Sequence, residues 1–72
     1  MKRLELARYM KKNGISDRSI SFLPCNGKYC LINEGKKWII YFDDRNERTY
    51  YAEFESEDEA CDVLLNLAKL NQ

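Results

Sequence analysis

The stretch that decides the fold spans residues 38–65 and reads WIIYFDDRNERTYYAEFESEDEACDVLL. Its first half contains two runs rich in Ile, Phe and Tyr, separated by a polar link at residues 45–47. This pattern predicts two strands joined by a tight turn. Every position from Trp38 to Phe42 is apolar, so the first run presents apolar side chains on both of its faces. That property is typical of a central strand.

The second strand of this pair leads into a helix. Its alternation assigns Tyr50, Ala52 and Phe54 to a core face, and Thr49, Tyr51 and Glu53 to a solvent face. Ser56 then precedes Glu59 by three residues, which is the spacing of an N-terminal capping box. Because apolar residues recur after it at intervals of three and four, the sequence predicts an amphipathic helix over residues 57–70.

The N-terminal half adds a helix and one more strand. Residues 2–13 have apolar side chains on one broad arc and end before Gly14, which favours a helix with a left-handed glycine cap. Residues 28–33 read KYCLIN and predict a strand, while the segment between Gly14 and this strand, which contains Pro24, predicts a connecting loop. The chain is therefore expected to fold as one α+β two-layer domain over residues 1–72. The expected order is α-β-β-β-α, with a three-stranded antiparallel meander and both helices on one face.

Charge is balanced overall but not along the chain. The 72 residues include 12 basic and 12 acidic side chains. Residues 1–42 hold nine basic and three acidic groups (net +6), whereas residues 52–72 hold one basic and six acidic groups (net −5). Zero net charge gives no whole-molecule field toward nucleic acid or membranes. The acidic C-terminal part is therefore the feature that indicates a partner.

The acidic block begins before the predicted helix. Five of the seven residues from Glu53 to Glu59 are acidic, and those in the first helical turn stabilise the positive end of the helix dipole. The other acids have no such role, and the meander is expected to bring Asp43 and Asp44 to the same edge. Aromatic residues are frequent at interface centres, and acidic residues steer a protein toward basic partners. The predicted partner-binding residues are Asp43, Asp44, Tyr51, Glu53, Glu55, Glu57, Asp58 and Asp62.

No residue pattern predicts catalysis, a metal or a cofactor. The chain has no histidine, so a Cys-His or Ser-His nucleophile is excluded, and it has neither a P-loop nor a dinucleotide-binding glycine motif. Cys25, Cys30 and Cys61 are one ligand short of a structural zinc site and are expected to be free thiols in a reducing compartment. No apolar run reaches the roughly 20 residues of a membrane span. A cytoplasmic protein that is not an enzyme is therefore expected.

A nucleic-acid-binding module is the alternative. The order α-β-β-β-α matches double-stranded-RNA-binding domains, which contact phosphates through a basic cluster at the start of the last helix. Residues 57–59 are all acidic at that position and would repel RNA, so binding would have to use the basic residues of the first helix. These residues are Lys2, Arg3, Arg8, Lys11 and Lys12. A protein that mimics nucleic acid is a third hypothesis, since it shares the acidic surface.

Residues 38–65 resemble the C-terminal halves of small bacterial immunity-type proteins of the contact-dependent inhibition and polymorphic toxin systems. In these families a tryptophan strand, a short polar turn with arginine and an aromatic strand precede a phenylalanine, the motif S-E-x-E-A-C and an apolar helix. The resemblance implies a stoichiometric inhibitor that neutralises a cognate toxin, often a nuclease, by direct binding. It also implies a toxin domain with a basic surface as the partner, to which acidic residues and exposed tyrosines would be complementary. An exposed edge strand leaves a monomer and a homodimer both open.

Overall fold

Four strands and two helices make up the fold. The computed structural model describes residues 1–72 and gives, in chain order, α1 (Arg3–Lys12), β1 (Ile20–Ser21), β2 (Lys28–Glu34), β3 (Lys37–Asp44), β4 (Glu47–Phe54) and α2 (Glu57–Leu70). The strands form one sheet in the order β1-β2-β3-β4. Since β2, β3 and β4 are the predicted antiparallel meander, the α+β class is confirmed.

The predicted count of three strands is wrong, because a short fourth strand lies where a loop is expected. β1 pairs in parallel with β2, so that Ile20 lies opposite Tyr29, and the N–H of Tyr29 donates to Ser19 O at 2.8 Å. A two-residue strand has no periodicity of its own, and it exists only through this non-local pairing. Ile20 is 5% exposed, and its burial holds the segment against the sheet.

Two-residue turns join the antiparallel strands. At the β3–β4 turn, Arg45 and Asn46 both have positive φ, at 49° and 69°, which is the combination of a type I′ turn. At the β2–β3 turn, Gly35 has a φ of 64°, so the left-handed position falls on glycine. Such short turns fix the pairing register along all three strands.

A β-bulge interrupts the β3–β4 pairing and inverts part of the predicted alternation. Beyond the register shift, Tyr41 pairs with Tyr50, and Tyr51 is the extra residue on β4. Tyr50 therefore lies on the sheet face away from the helices, whereas the ring of Tyr51 lies 5.5 Å from that of Tyr29 on the helix side. The predicted faces of Thr49, Tyr50 and Tyr51 are therefore wrong, because the alternation of side chains in the sequence does not reveal where a bulge inserts an extra residue.

The hydrophobic core lies between the sheet and α2. Ser56 Oγ accepts a hydrogen bond from Glu59 N at 3.2 Å, so the predicted capping residue and the predicted bounds of this helix are confirmed. The buried cluster contains Leu6, Met10, Ile20, Leu31, Ile40, Ala60, Cys61, Leu64, Leu65, Leu67 and Ala68. Burying one Leu or Ile side chain stabilises a fold by about 1.5–3 kcal/mol, so this layer supplies most of the favourable free energy.

The first helix packs on α2 and makes no close backbone approach to any strand. Leu6 and Met10 are its only buried residues. The predicted glycine cap is confirmed, since Gly14 has a φ of 66° and the N–H of Ile15 donates to Met10 O at 2.9 Å, but the helix is one residue shorter at each end than the predicted 2–13. Neither helix has both the length and the apolarity that crossing a membrane requires.

Candidate interface on the outer face of the sheet

The sheet face opposite the helices, which we call the outer face, carries apolar and aromatic side chains without a covering helix. Strand register and alternation place Ile32, Ile39, Tyr41 and Tyr50 on this face. Ile39 lies on β3 between Ile32 and Glu53 and is 8% exposed, whereas Tyr50 is 55% exposed. A paired sheet thus presents a rigid, partly apolar surface to solvent.

A loop covers one end of the outer face. Residues 22–27 connect β1 to β2, and Cys30 Sγ lies 3.5 Å from Cys25 O in this loop. The N–H of Gly27 donates to Asp43 O at 2.6 Å, which attaches the loop to β3. Cys30 is fully buried as a result. The open area of the outer face therefore lies around the two tyrosines.

Tyr41 and Tyr50 form the centre of this open area. Their ring centroids lie 6.5 Å apart at an interplanar angle of 78°, which is the favourable edge-to-face arrangement. The Tyr41 hydroxyl donates to Glu34 Oε2 at 2.6 Å, and the Tyr50 hydroxyl donates to Glu53 Oε1 at 3.4 Å. The Arg48 guanidinium lies 4.7 Å from the centre of the Tyr41 ring. These contacts hold both rings in defined orientations.

Basic side chains neutralise Glu53 and Asp43, two of the carboxylates beside the tyrosines. Lys37 Nζ lies 2.7 Å from Glu53 Oε2, and Arg48 donates to both oxygens of Asp43, at 2.9 and 3.2 Å. The hydrogen bond from Arg48 lowers the pKa of the Asp43 carboxyl, and the hydrogen bond from Lys37 lowers that of the Glu53 carboxyl. The outer face is thus aromatic with largely compensated charge, since Glu34 is the one carboxylate beside the tyrosines whose partner is a hydroxyl and not a cation.

The structure does not bring the eight predicted contact residues to one surface. Asp43 and Asp44 lie at the β3–β4 turn, whereas Glu55 follows the opposite end of β4, roughly 26 Å away at about 3.3 Å per strand residue. The expectation that these acids share an edge is therefore corrected. Asp43 is 7% exposed, Glu53 is on the outer face, and Tyr51 is on the helix side.

Two of the predicted residues connect the start of α2 to the start of α1. Glu57 Oε2 accepts hydrogen bonds from the backbone N–H of Arg3 at 2.8 Å and from Arg3 Nε at 3.0 Å. Asp58 lies 3.0 Å from the Met1 amino group and 3.2 Å from Lys2 Nζ. The Arg3 N–H lowers the pKa of Glu57, and the hydrogen bond from the amino group lowers the pKa of Asp58. These acids hold the two helices together.

The other predicted acids have little to do with the fold. Asp44 and Glu55 are exposed and make no ion pair, and Asp62 reaches the Met1 amino group only at 3.9 Å. Their carboxylates remain available to an external partner. They lie near different ends of the sheet, so they cannot form one cluster.

Sequence reasoning misses most residues that build the outer face. The alternation of side chains along β3 places Ile39 and Tyr41 on a common face, so the sequence predicts that these two residues lie on the same side of the sheet. The sequence does not predict that Tyr50 joins them, because the bulge moves its side chain to the face opposite to the one that alternation predicts. Lys37 and Arg48 are also missed, because their partners become neighbours only through the cross-strand register.

The three cysteines are free thiols. Cys30 and Cys61 are fully buried, and burial raises the pKa of both thiols, that of Cys61 to about 11. A buried neutral thiol behaves as a small hydrophobic side chain. No three or more Cys, His, Asp or Glu side chains are grouped so that they could hold a metal ion.

We expect the protein to lose stability in acid. Hydrogen bonds lower the pKa of Asp43, Glu53, Glu57 and Asp58 in the folded state. Their contribution is therefore complete above the ordinary carboxyl pKa, about 4, and is lost as the pH falls through the lowered values. Thermal unfolding followed by circular dichroism should show a constant Tm above about pH 5 and a falling Tm below about pH 4. A Tm that stays constant down to about pH 2 would contradict these pairings.

The outer face offers contact surface and hydrogen-bonding groups. Its centre is aromatic and its margin holds two ion pairs. An aromatic centre with a polar rim is typical of protein interfaces. Comparison of the chain with protein-family models, with curated proteins and with solved structures finds no match.

Proposed function

We propose that this protein is a protein-binding inhibitor of the immunity type, and that it binds its partner through the outer face. The observation that carries the proposal is the pair Tyr41 and Tyr50 on an uncovered sheet face, surrounded by ion pairs. Tyrosine supplies a large contact area while its hydroxyl stays hydrogen-bonded. A cognate toxin domain remains the partner that the resemblance of residues 38–65 implies.

Preorganisation supports binding through this face. The sheet backbone is paired throughout β3, and the Tyr41 hydroxyl and the Arg48 guanidinium already have partners in the free protein. Little conformational entropy is therefore lost when a partner docks. Asp43 and Glu53 are already paired with Arg48 and Lys37. A partner that covers these pairs therefore leaves no buried charge without a partner.

Charge has a smaller part in this proposal than the sequence predicts. Asp43 and Glu53 are compensated by cations, so attraction to a basic partner rests on Glu34 of the outer face and on Asp44 and Glu55, which flank the two ends of β4. Recognition would then depend mainly on aromatic contact, with a moderate dependence on salt. A cytoplasmic location belongs to the proposal, because three free thiols fit a reducing compartment.

A tagged copy used as bait in its native cells tests the proposal, with Tyr50→Ala as the test variant and Tyr51→Ala as the matched control. The two tyrosines are neighbours with similar exposure, 55% and 47%, but lie on opposite faces of the sheet. Mass spectrometry should identify one dominant protein at equal stoichiometry. Its affinity, measured by calorimetry, should fall by at least about tenfold for Tyr50→Ala and by less than about threefold for Tyr51→Ala.

The reverse order of the two variants, or equal affinities, would refute the outer face as the contact surface.

Nucleic-acid binding is the second candidate, because Arg8, Lys11 and Lys12 of α1 make no ion pair within the protein. Nuclease-sensitive material that washes off at high salt, without any protein partner, would favour this candidate over the inhibitor.

A further inference from the structure

A trough runs between α1 and the edge strand β1, on the helix side of the protein. Two adjoining concavities of about 600 and 470 Å³ form it, and both are lined by Ala7 and Phe22. The trough exists because α1 packs on α2 and leaves a gap before the nearest strand. Its floor is apolar and consists of Ala7, Met10, Ile15, Ile20 and Phe22.

The walls of the trough carry positive charge that the protein does not neutralise. Lys11 lines it from α1 and Lys28 lines it from β2, and neither side chain makes an ion pair. The only acid that lines the larger concavity is Asp17. By contrast, Lys37 and Arg48 at the centre of the outer face are both paired. The trough thus combines an apolar floor with an uncompensated excess of positive charge.

The strand beside the trough has a free edge. β1 is the outermost strand of the sheet, and only one of its sides is paired. The N–H of Ile20 already donates to Asp17 O at 3.2 Å, so an added segment can form only a partial strand pairing along this edge. Ser16 and Ser21 also line the trough, but their hydroxyls already bond to the backbone of Arg18 and Leu23.

We propose that the trough binds an extended segment of a partner protein in which large apolar side chains alternate with carboxylates. The apolar side chains enter the floor, the carboxylates pair with Lys11 and Lys28, and the backbone lies along β1. A fatty acid has no backbone that could pair with the edge of β1, and a nucleic acid leaves the apolar floor unfilled. The inference is independent of the outer face, which lies on the other side of the sheet.

A defined peptide tests the inference without knowledge of the natural partner. The probe is an end-blocked hexapeptide that alternates leucine and glutamate, and the control peptide has lysine in place of glutamate. A hexapeptide extends over roughly 20 Å, which exceeds the roughly 10 Å that α1 covers from Leu4 to Lys11. Titration into the ¹⁵N-labelled protein should give saturable shift changes at Ala7, Lys11, Ile20 and Phe22 with the glutamate peptide only.

Two substitutions separate contact in the trough from general charge attraction. Lys11 and Lys12 both lie in the last turn of α1, are exposed and are unpaired, but only Lys11 lines the trough. Lys11→Glu should weaken binding of the glutamate peptide by at least about tenfold, and Lys12→Glu by less than about threefold, because salt screens the more distant charge. Circular dichroism confirms that both variants remain folded.

Three results would overturn the proposal. The first is the absence of saturable shifts in the trough with the glutamate peptide. The second is equal weakening by Lys11→Glu and Lys12→Glu, which would show attraction to a basic helix alone. The third is a saturable response to decanoate that exceeds the response to the peptide, which would identify a site for small amphiphiles.

Discussion

Replacing Leu64 with alanine is expected to lower the free energy of unfolding by about 3 kcal/mol. Leu64 is fully buried near the middle of α2 and belongs to the same cluster as Leu31 and Ile40 of the sheet. A domain of this size has a stability of only several kcal/mol, so the variant should lose most of its margin. Its Tm should fall by roughly 10–20 °C.

Urea unfolding followed by the fluorescence of Trp38 measures this effect. Trp38 is the only tryptophan and is half-buried against the core, so its emission reports on the layer that Leu64 helps to form. Leu70→Ala is the matched control, since Leu70 ends the same helix and is 81% exposed. The control should change the free energy of unfolding by less than about 0.5 kcal/mol. Similar decreases in the free energy of unfolding for both variants would mean that the Leu64 side of α2 does not pack against the sheet.

The elements that the sequence predicts well are those whose signal is local. α2 has a capping serine, a three-and-four periodicity and a length of 14 residues, and its bounds match the prediction. β3 is apolar at each position from Trp38 to Phe42, which is typical of the middle of a sheet. These features depend on neighbours along the chain, so the order of the residues is enough to show them.

The features that the sequence does not predict are set by distant partners. β1 becomes a strand because Ile20 finds a place beside β2, and no periodicity exists in two residues. The bulge at Tyr51 changes which tyrosine faces outward, although the alternation of residues 48–55 appears regular. One extra residue in a strand moves every side chain beyond it to the opposite face of the sheet from the one that alternation predicts.

At the candidate site too, the sequence predicts what depends on chain neighbours and misses what depends on distant partners. A count of acidic residues finds Asp43, Glu53, Glu57 and Asp58, yet each of them is paired with a basic group that the count cannot locate. Net charge by segment therefore overstates the negative field at the surface. The residues left for a partner on the outer face are aromatic, and they emerge only when the register is known.

Replacing Glu57 with alanine is expected to release α1 from α2 and to lower the free energy of unfolding by about 1–2 kcal/mol. The Glu57 carboxylate accepts two hydrogen bonds from Arg3, and the guanidinium of Arg3 lies 4.9 Å from the centre of the Trp38 ring. α1 is held otherwise by the buried Leu6 and Met10 and by the exposed pairs of Asp58 with Met1 and Lys2. Hydrogen exchange should therefore become faster at the amides of α1, while β3 keeps its protection.

Glu59→Ala separates this connection from the general effect of a negative charge at a helix start. Glu57 and Glu59 share the first turn of α2, so both substitutions remove a favourable interaction with the helix dipole, about 0.3–1 kcal/mol. Only Glu57 reaches α1, since Glu59 contacts the capping residue Ser56. Faster exchange in α1 for Glu57→Ala alone would show that the acidic block holds the two helices together. Equal exchange in both variants would mean that Glu57 acts only on the helix dipole, and that Leu6, Met10 and the pairs of Asp58 hold α1 in place.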